Sequence, residues 1–269
     1  MSDSKYIFTN TARDSELKRL QAIERVFDPA SRQRILATGL TEAWHCLEVG
    51  AGAGSIAKWM AEVVGANGEV VAVDLDTRFL TDIRLPNVRI IEGDIRDLPL
   101  EVSSFDLIHA RYVLIHLPNF QEVLSKLVDL LKPGGWLAIE EPDFSAARAI
   151  AGGEATCQSF ARINQAILRI FGNKGIDYDL GIKLPAILQK MGLQQLSVEH
   201  DAPASQGGSE LAMMMKMSTA QLAEQYLATG EVTLQDIENY DAFAENPNTW
   251  AIYYATVRIS AQKAIAAEN

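Results

Sequence analysis

The stretch WHCLEVGAGAGSIAKW, Trp44 to Trp59, decides the fold. Its first six residues are an apolar run that ends in Glu48 and Val49. Three alternating glycines follow, Gly50, Gly52 and Gly54, and Ser55 then opens a segment with helical spacing as far as Val64, where Gly65 stops it. A bare-backbone bend between strand and helix lets a nucleotide approach the main chain closely. The spacing discriminates among nucleotides. The dinucleotide fingerprint G-x-G-x-x-G/A needs Gly or Ala where Ser55 stands, and the Gly-Lys-Ser/Thr of a phosphate loop is absent.

Outward from the loop, strands and helices alternate. EVVAVDLD, VRIIEGD, FDLIHA and WLAIEEPD read as four further strands, with a helix at Asn119–Leu131 and a KPGG breaker before the last. Continuous apolar strands separated by helices argue a parallel sheet covered on both faces. Right-handed crossovers make it doubly wound and put ligands outside the carboxyl ends of the strands. The fold expected is therefore α/β and Rossmann-like.

The flanks are helical. Asp14 and Ser15 can cap a helix bearing Leu17, Leu20, Ile23 and Phe27 on one face; FDPA is expected to break it, and a second short helix to end near Gly39. The alternation stops after Pro142. The organisation expected is an N-terminal helical segment (1–43), a cofactor-binding core (44–142), a helical insert (143–182), a core helix and strand (183–203), a second helical insert (204–248) and a last strand with its tail (249–269). Both inserts follow strands, so both can form a lid over the ligand face.

Composition narrows the classes. The chain has 269 residues, 48% of them hydrophobic, and a net charge of -11, a field that repels nucleic acid and anionic membrane. No apolar stretch spans a bilayer, and MSDSKYIFTN lacks a signal-peptide layout. Cys46 and Cys157 have no metal-ligand spacing, so no metal is expected and the setting reads as reduced and cytoplasmic.

Three acids end three neighbouring strands: Glu48, Asp74 about twenty residues past the loop, and Asp94 in GDIRDLP. Asp74 is placed to take both hydroxyls of a ribose, and Asp94 to accept from an adenine amine. A mouth of acids with no basic residue in the glycine loop disfavours a pyrophosphate and suits a cationic nucleoside. S-adenosylmethionine has that chemistry.

From Trp44 to Pro142 the chain resembles the class I S-adenosylmethionine-dependent methyltransferases, through LEVGAGAG, VVAVDLD, GDIRDLPL, FDLIHARYVLIHL and LKPGGWLAIEEPD, in that order. It looks closest to the branch of ubiquinone- and menaquinone-biosynthesis and natural-product methyltransferases. The resemblance implies a mostly parallel seven-stranded sheet whose last strand, within TWAIYYATVRISAQK, is antiparallel. It also implies that Gly50, Ala51 and Gly52 pass under the methionine moiety and that Glu48 holds its amino group through water. Asp74 then binds the ribose, Leu75 covers the adenine, Asp94 and Ile95 bind its edge, and Ala110 and Arg111 line the methionine end.

In-line displacement on a sulfonium needs alignment and exclusion of water, and a base only for a protonated acceptor. His116 in YVLIHLPN is the candidate base, with Glu141 and Asp143 as alternatives; His109 reads as structural, and His45 and His200 lie away from the mouth. Tyr112 and Tyr6 are candidates to stack on the sulfonium. The strand-four segment lacks the Asn/Asp-Pro-Pro-Tyr of nucleic-acid amino-methyltransferases. The methionines of LAMMMKMS suit a core or an adaptable apolar pocket. The expectation is methyl transfer to a small, largely apolar organic acceptor by a monomer or homodimer. The rivals are an NAD-dependent oxidoreductase, a non-catalytic S-adenosylmethionine binder, and a methyltransferase that acts on a protein.

Overall fold

The computed structural model describes residues 13–265. The chain opens with α1 (Arg13–Leu36), then β1 (His45–Val49), α2 (Ser55–Val64), β2 (Glu69–Asp74), β3 (Val88–Glu92) and β4 (Phe105–Arg111). Next come α3 (Phe120–Leu130), β5 (Leu131–Asp143), β6 (Arg148–Ala151), α4 (Glu154–Asn173), α5 (Leu180–Lys190) and β7 (Gln194–Asp201). The last third holds β8 (Ser205–Gln206), α6 (Glu210–Gln221), α7 (Ala223–Ala228), α8 (Leu234–Glu245), β9 (Trp250–Ile252) and β10 (Ala255–Gln262).

The main sheet has seven strands in the order β3-β2-β1-β4-β5-β10-β7. β10 is antiparallel to both neighbours, while the pairs from β3 to β5 are parallel. The order reverses between β1 and β4, and the carboxyl ends there open the ligand crevice of a doubly wound sheet. One face buries Leu47, Val73, Ile108 and Ile139 with α3 and α5; the other buries Cys46, Val70, Leu107 and Ala138 with α2.

Three expectations about elements need correction. α1 runs unbroken through Pro29. Pro29 is on the exposed side of the helix, while Phe27, Asp28, Ser31 and Ile35 around it are buried. The bond lost to proline's missing N–H faces solvent, and packing on the other side carries the helix through. The final stretch is two strands. Pairing of β10 with β5 stops at Ala255–Asp143, so the residues before it have outrun β5; Trp250–Ile252 pair instead with β6 and β8 in a second, three-stranded sheet. The inserts are thus partly β, clasped by β9. Their helices are knit by a ring cluster in which Phe160 lies 5.5 Å from Tyr240, 5.2 Å from Phe243 and 5.4 Å from Tyr253.

Candidate active site

The strand tips, α1 and the insert helices line a cavity of about 540 Å³. One half is polar and belongs to the sheet. Gly50, Gly52 and Gly54 have positive φ, at 71°, 58° and 89°, the region open to glycine. A Cβ on Gly50 would come within 2.4 Å of Val113 Cγ2, so the bend is pressed against the segment after β4. The loop is pinned from beside it: Asp74 accepts from Gly52 N at 2.8 Å through one oxygen and from Asp76 N at 3.0 Å through the other. Burial raises the Asp74 carboxyl, and those two N–H donors offset part of the rise. Each oxygen keeps acceptor capacity for a sugar hydroxyl.

Gly93, Asp94, Ile95 and Arg96 wall the cavity after β3. Asp94 accepts from Arg96 Nε at 2.9 Å and from the Arg96 backbone N at 2.9 Å, and the arginine holds its carboxyl below the usual range. Leu75, half exposed, stands at the rim. Glu48, Gly50, Ala51 and Arg111 also line the cavity. Arg111 donates to Ser31 Oγ at 2.8 Å and to Asp28 Oδ1 at 3.0 Å, both on α1.

The other half is apolar. Its wall includes Phe144, Ile167, Ile170, Phe171, Met214, Met215, Leu222, Tyr226 and Tyr254. Phe144 lies 5.3 Å from both Phe171 and Tyr254, so aromatic edges and faces line one side. Two of the LAMMMKMS methionines, Met214 and Met215, are buried on this wall.

His116 and Tyr112 also line the cavity. Burial pushes the His116 imidazole down to about 3, helped by Arg19 and Lys174. It is a neutral ring across the physiological range, too weakly basic to compete for a proton in bulk water. The Tyr112 hydroxyl is 2.7 Å from Thr256 Oγ1, and burial raises it well above an ordinary phenol, so Tyr112 is a fixed neutral wall with φ +57°.

Several expected site residues lie elsewhere. Ala110 is fully buried in the core beside α3, because strand alternation turns it from the face that Arg111 shares with α1. Glu141 is off the cavity wall: its fully buried carboxyl group accepts from the backbone N of Val113 at 3.0 Å, Leu114 at 2.7 Å and Ile115 at 3.1 Å. It caps the segment that carries His116, which removes it as an alternative base. Asp143, also buried off the wall, accepts from Ser145 N at 2.9 Å and meets His200 Nε2 at 3.3 Å. Tyr6 lies outside the described residues.

Sequence reading missed the contribution of α1. Glu16, Arg19, Leu20, Ile23 and Glu24 all line the cavity. Arg19 holds Glu16 bidentately, at 2.9 and 2.7 Å, and Glu24 accepts from Ser55 N at 3.0 Å. The available signal was charge at positions 16 and 19, one turn from Leu20 and Ile23 on the expected apolar face. A carboxylate on the first N–H group of α2 also stands at the helix end where a dinucleotide pyrophosphate would dock.

Residues 47–139 match a family model described as "Methyltransferase domain". The chain is similar to methyltransferase str2 of Strobilurus tenacellus, 34% identical over 140 residues, which cover 51% of this chain and 49% of that protein. It is 28% identical over 116 residues to a demethylmenaquinone methyltransferase of Staphylococcus aureus, covering 41% and 48% of the two chains. The chain spans about half the length of these curated relatives. Among solved structures it shares the fold of a phosphoethanolamine N-methyltransferase 2 of Haemonchus contortus, described in complex with S-adenosyl-L-methionine. That likeness has a TM-score of 0.59 at 17% identity and covers 91% of this chain and 56% of the other.

Proposed function

We propose, from the premise that residues 47–139 form a domain of the class I S-adenosylmethionine-dependent methyltransferases, that the chain transfers a methyl group to a small, largely apolar organic acceptor. The observation that carries the reading is one continuous cavity, polar at the strand tips and apolar beneath the inserts. The polar half fits the cofactor's chemistry: Asp74 for ribose hydroxyls, Asp94 and Ile95 for the adenine edge, Leu75 as its cover, and Glu48 for an ammonium. Gly50, Ala51 and Gly52 offer backbone beneath the methionine moiety, with Arg111 beside it. S-adenosylmethionine supplies a carbon already activated by a positive sulfur, so the protein's task is alignment and exclusion of water, worth about 7–11 kcal/mol.

The residues of the chain divide that work. The inserts, residues 143–182 and 204–248, act as the lid. Phe144, Phe171, Met215 and Tyr254 give the acceptor an apolar bed and exclude water, and the methionines adapt to its outline. Tyr112 presents its ring near the point of transfer, where a cation over an aromatic face is attracted by ~0.5–2 kcal/mol. His116, neutral and desolvated, accepts a hydrogen bond from the acceptor and orients it without titrating near neutrality. A bed of this size, lined by aromatic and methionine side chains, suits a small apolar molecule. Among the described residues no helix is long and apolar enough to cross a membrane, and the two free cysteines suit a reducing, cytoplasmic setting.

The test is calorimetric titration of the full chain with S-adenosylmethionine and with NAD, followed by mass-spectrometric detection of S-adenosylhomocysteine in reactions with a panel of apolar phenols, quinols and amines. Binding of S-adenosylmethionine with product from at least one acceptor supports the reading. Preferential binding of NAD would overturn it.

A further inference from the structure

Under the cavity floor, one face of the sheet carries a row of charged side chains in the middle of otherwise apolar strands. Glu48 of β1 is in register with His109 of β4, and Glu140 of β5 is in register with Arg258 of β10. All four are buried, at 4%, 0%, 0% and 2% exposure. His109 Nδ1 lies 2.7 Å from Glu48 Oε2, and His109 Nε2 lies 3.2 Å from Glu140 Oε1. Arg258 Nε donates to the second Glu140 oxygen at 3.2 Å and Nη1 to Asp201 at 3.1 Å, where the row reaches the sheet edge. The signs alternate along it.

With both glutamates ionised, the hydrogen-bond arithmetic allows one state of the ring. A carboxylate only accepts, and a neutral imidazole has one donor. With a carboxylate oxygen at each nitrogen, a neutral ring would turn a lone pair on one of them. A doubly protonated ring satisfies both. The charged groups facing it from each packed element are Glu48, Glu140, Arg111 and Arg258 on the strands and Asp28 on α1, and Glu140 already has Arg258. Burial opposes a charge on His109, but the two carboxylates outweigh it and raise the imidazole to about 9. Burial also raises the Glu48 carboxyl, and His109 is the first group pulling it back.

Glu48 borders the cavity beneath the glycine loop; His109 does not line it. Resting on the cofactor reading above, we propose that His109 is a positioning residue, a buried fixed cation that keeps Glu48 ionised and aimed as the counter-charge for the cofactor's ammonium group. Binding at the amino-acid end of the cofactor then depends on a histidine that never touches it.

The experiment compares two ligands of the full chain by calorimetry at pH 7. S-adenosylhomocysteine carries the ammonium, and 5′-methylthioadenosine keeps the adenosine but lacks the amino-acid end. His109→Asn retains a donor toward Glu48 and removes the charge. The expected result is at least a tenfold loss of affinity for S-adenosylhomocysteine, with 5′-methylthioadenosine changed less than twofold. Equal losses for both ligands, or no loss for either, overturn the proposal. A wild-type chain that binds neither ligand overturns the cofactor reading and this proposal with it. A wild-type chain that binds both, with a variant of unchanged preference, overturns the proposal alone. Should the variant fail to fold, nitrogen-15 NMR of the wild-type histidines decides: one of the four must remain doubly protonated at pH 8, and none in that state sinks the idea.

Discussion

At the residue scale, the site rests on carboxylates whose environments differ. Asp74 is held by two backbone N–H groups and faces the cavity with lone pairs to spare. Asp74→Ala should weaken S-adenosylmethionine binding by ~1–3 kcal/mol, the cost of losing a charged hydrogen-bond partner; calorimetry checks it, and undiminished affinity would remove the ribose assignment. His116 works under a different constraint. A base is most effective when its pKa lies near the working pH, and a matched one contributes ~10²–10⁴-fold. A ring pushed down to about 3 falls short of that. His116→Ala should therefore lower turnover by less than about 100-fold and leave the pH–rate profile unchanged between pH 5 and 9. An acid limb near pH 6.5 that vanishes in the variant would show that the ring titrates during catalysis.

At the scale of elements, the glycine bend and the segment after β4 act as one unit. Gly50 and Val113 touch, and Glu141 fastens Val113, Leu114 and Ile115 from below. Gly50→Ala puts a side chain at φ +71° and drives it into a β-branched neighbour, so ~1–3 kcal/mol of stability should be lost. Denaturant melts of Gly50→Ala and of the double variant with Val113→Ala test the cause. The double variant should recover the contact part and keep the backbone part. Equal stability of the two would mean that Val113 is not the obstacle.

The same scale explains what could be read in the chain beforehand. β1 to β5 were legible because their burial is written as apolar runs punctuated by Gly, Asp and Pro, and Glu48, Asp74 and Asp94 could be placed from strand ends alone. β6, β8 and β9 were not: they hold four, two and three residues, and what makes them strands is pairing between segments about 50 to 100 residues apart. Pro29 misled because its consequence depends on which side of α1 meets solvent. The row from Glu48 to Arg258 left only a faint trace, single charges at matching positions of separate strands, which acquire meaning once register brings them together.

At the scale of the whole molecule, the buried charges predict how stability follows pH. Glu141 has its carboxyl pushed up by burial from 4.5 to about 8, despite three N–H donors. An acid raised on folding holds its proton in the native state where the unfolded chain has lost it, so stability falls as pH climbs from about 4.5 to 8. His109 is raised from 6.5 to about 9, so its contribution is complete below pH 6.5 and is lost as pH rises to about 9. Asp94, Glu140 and Asp236 are lowered, the last by hydrogen bonds that outweigh its burial, and their contributions disappear only in acid. The two sets together place maximum stability on the mildly acidic side of neutrality and make the alkaline side steep, since a tenfold change in a group's acidity on folding is worth ~1.4 kcal/mol. Growing negative charge on a chain already at -11 pushes the same way, so the wild-type curve alone does not isolate the buried groups. Glu141→Gln does. It should be less stable than wild type at pH 5, because an amide nitrogen cannot accept from the backbone, yet its stability should decline less between pH 5 and 8. Urea unfolding at half-unit intervals measures both slopes, and parallel slopes would mean that Glu141 ionises in the folded chain as readily as it does in the unfolded one.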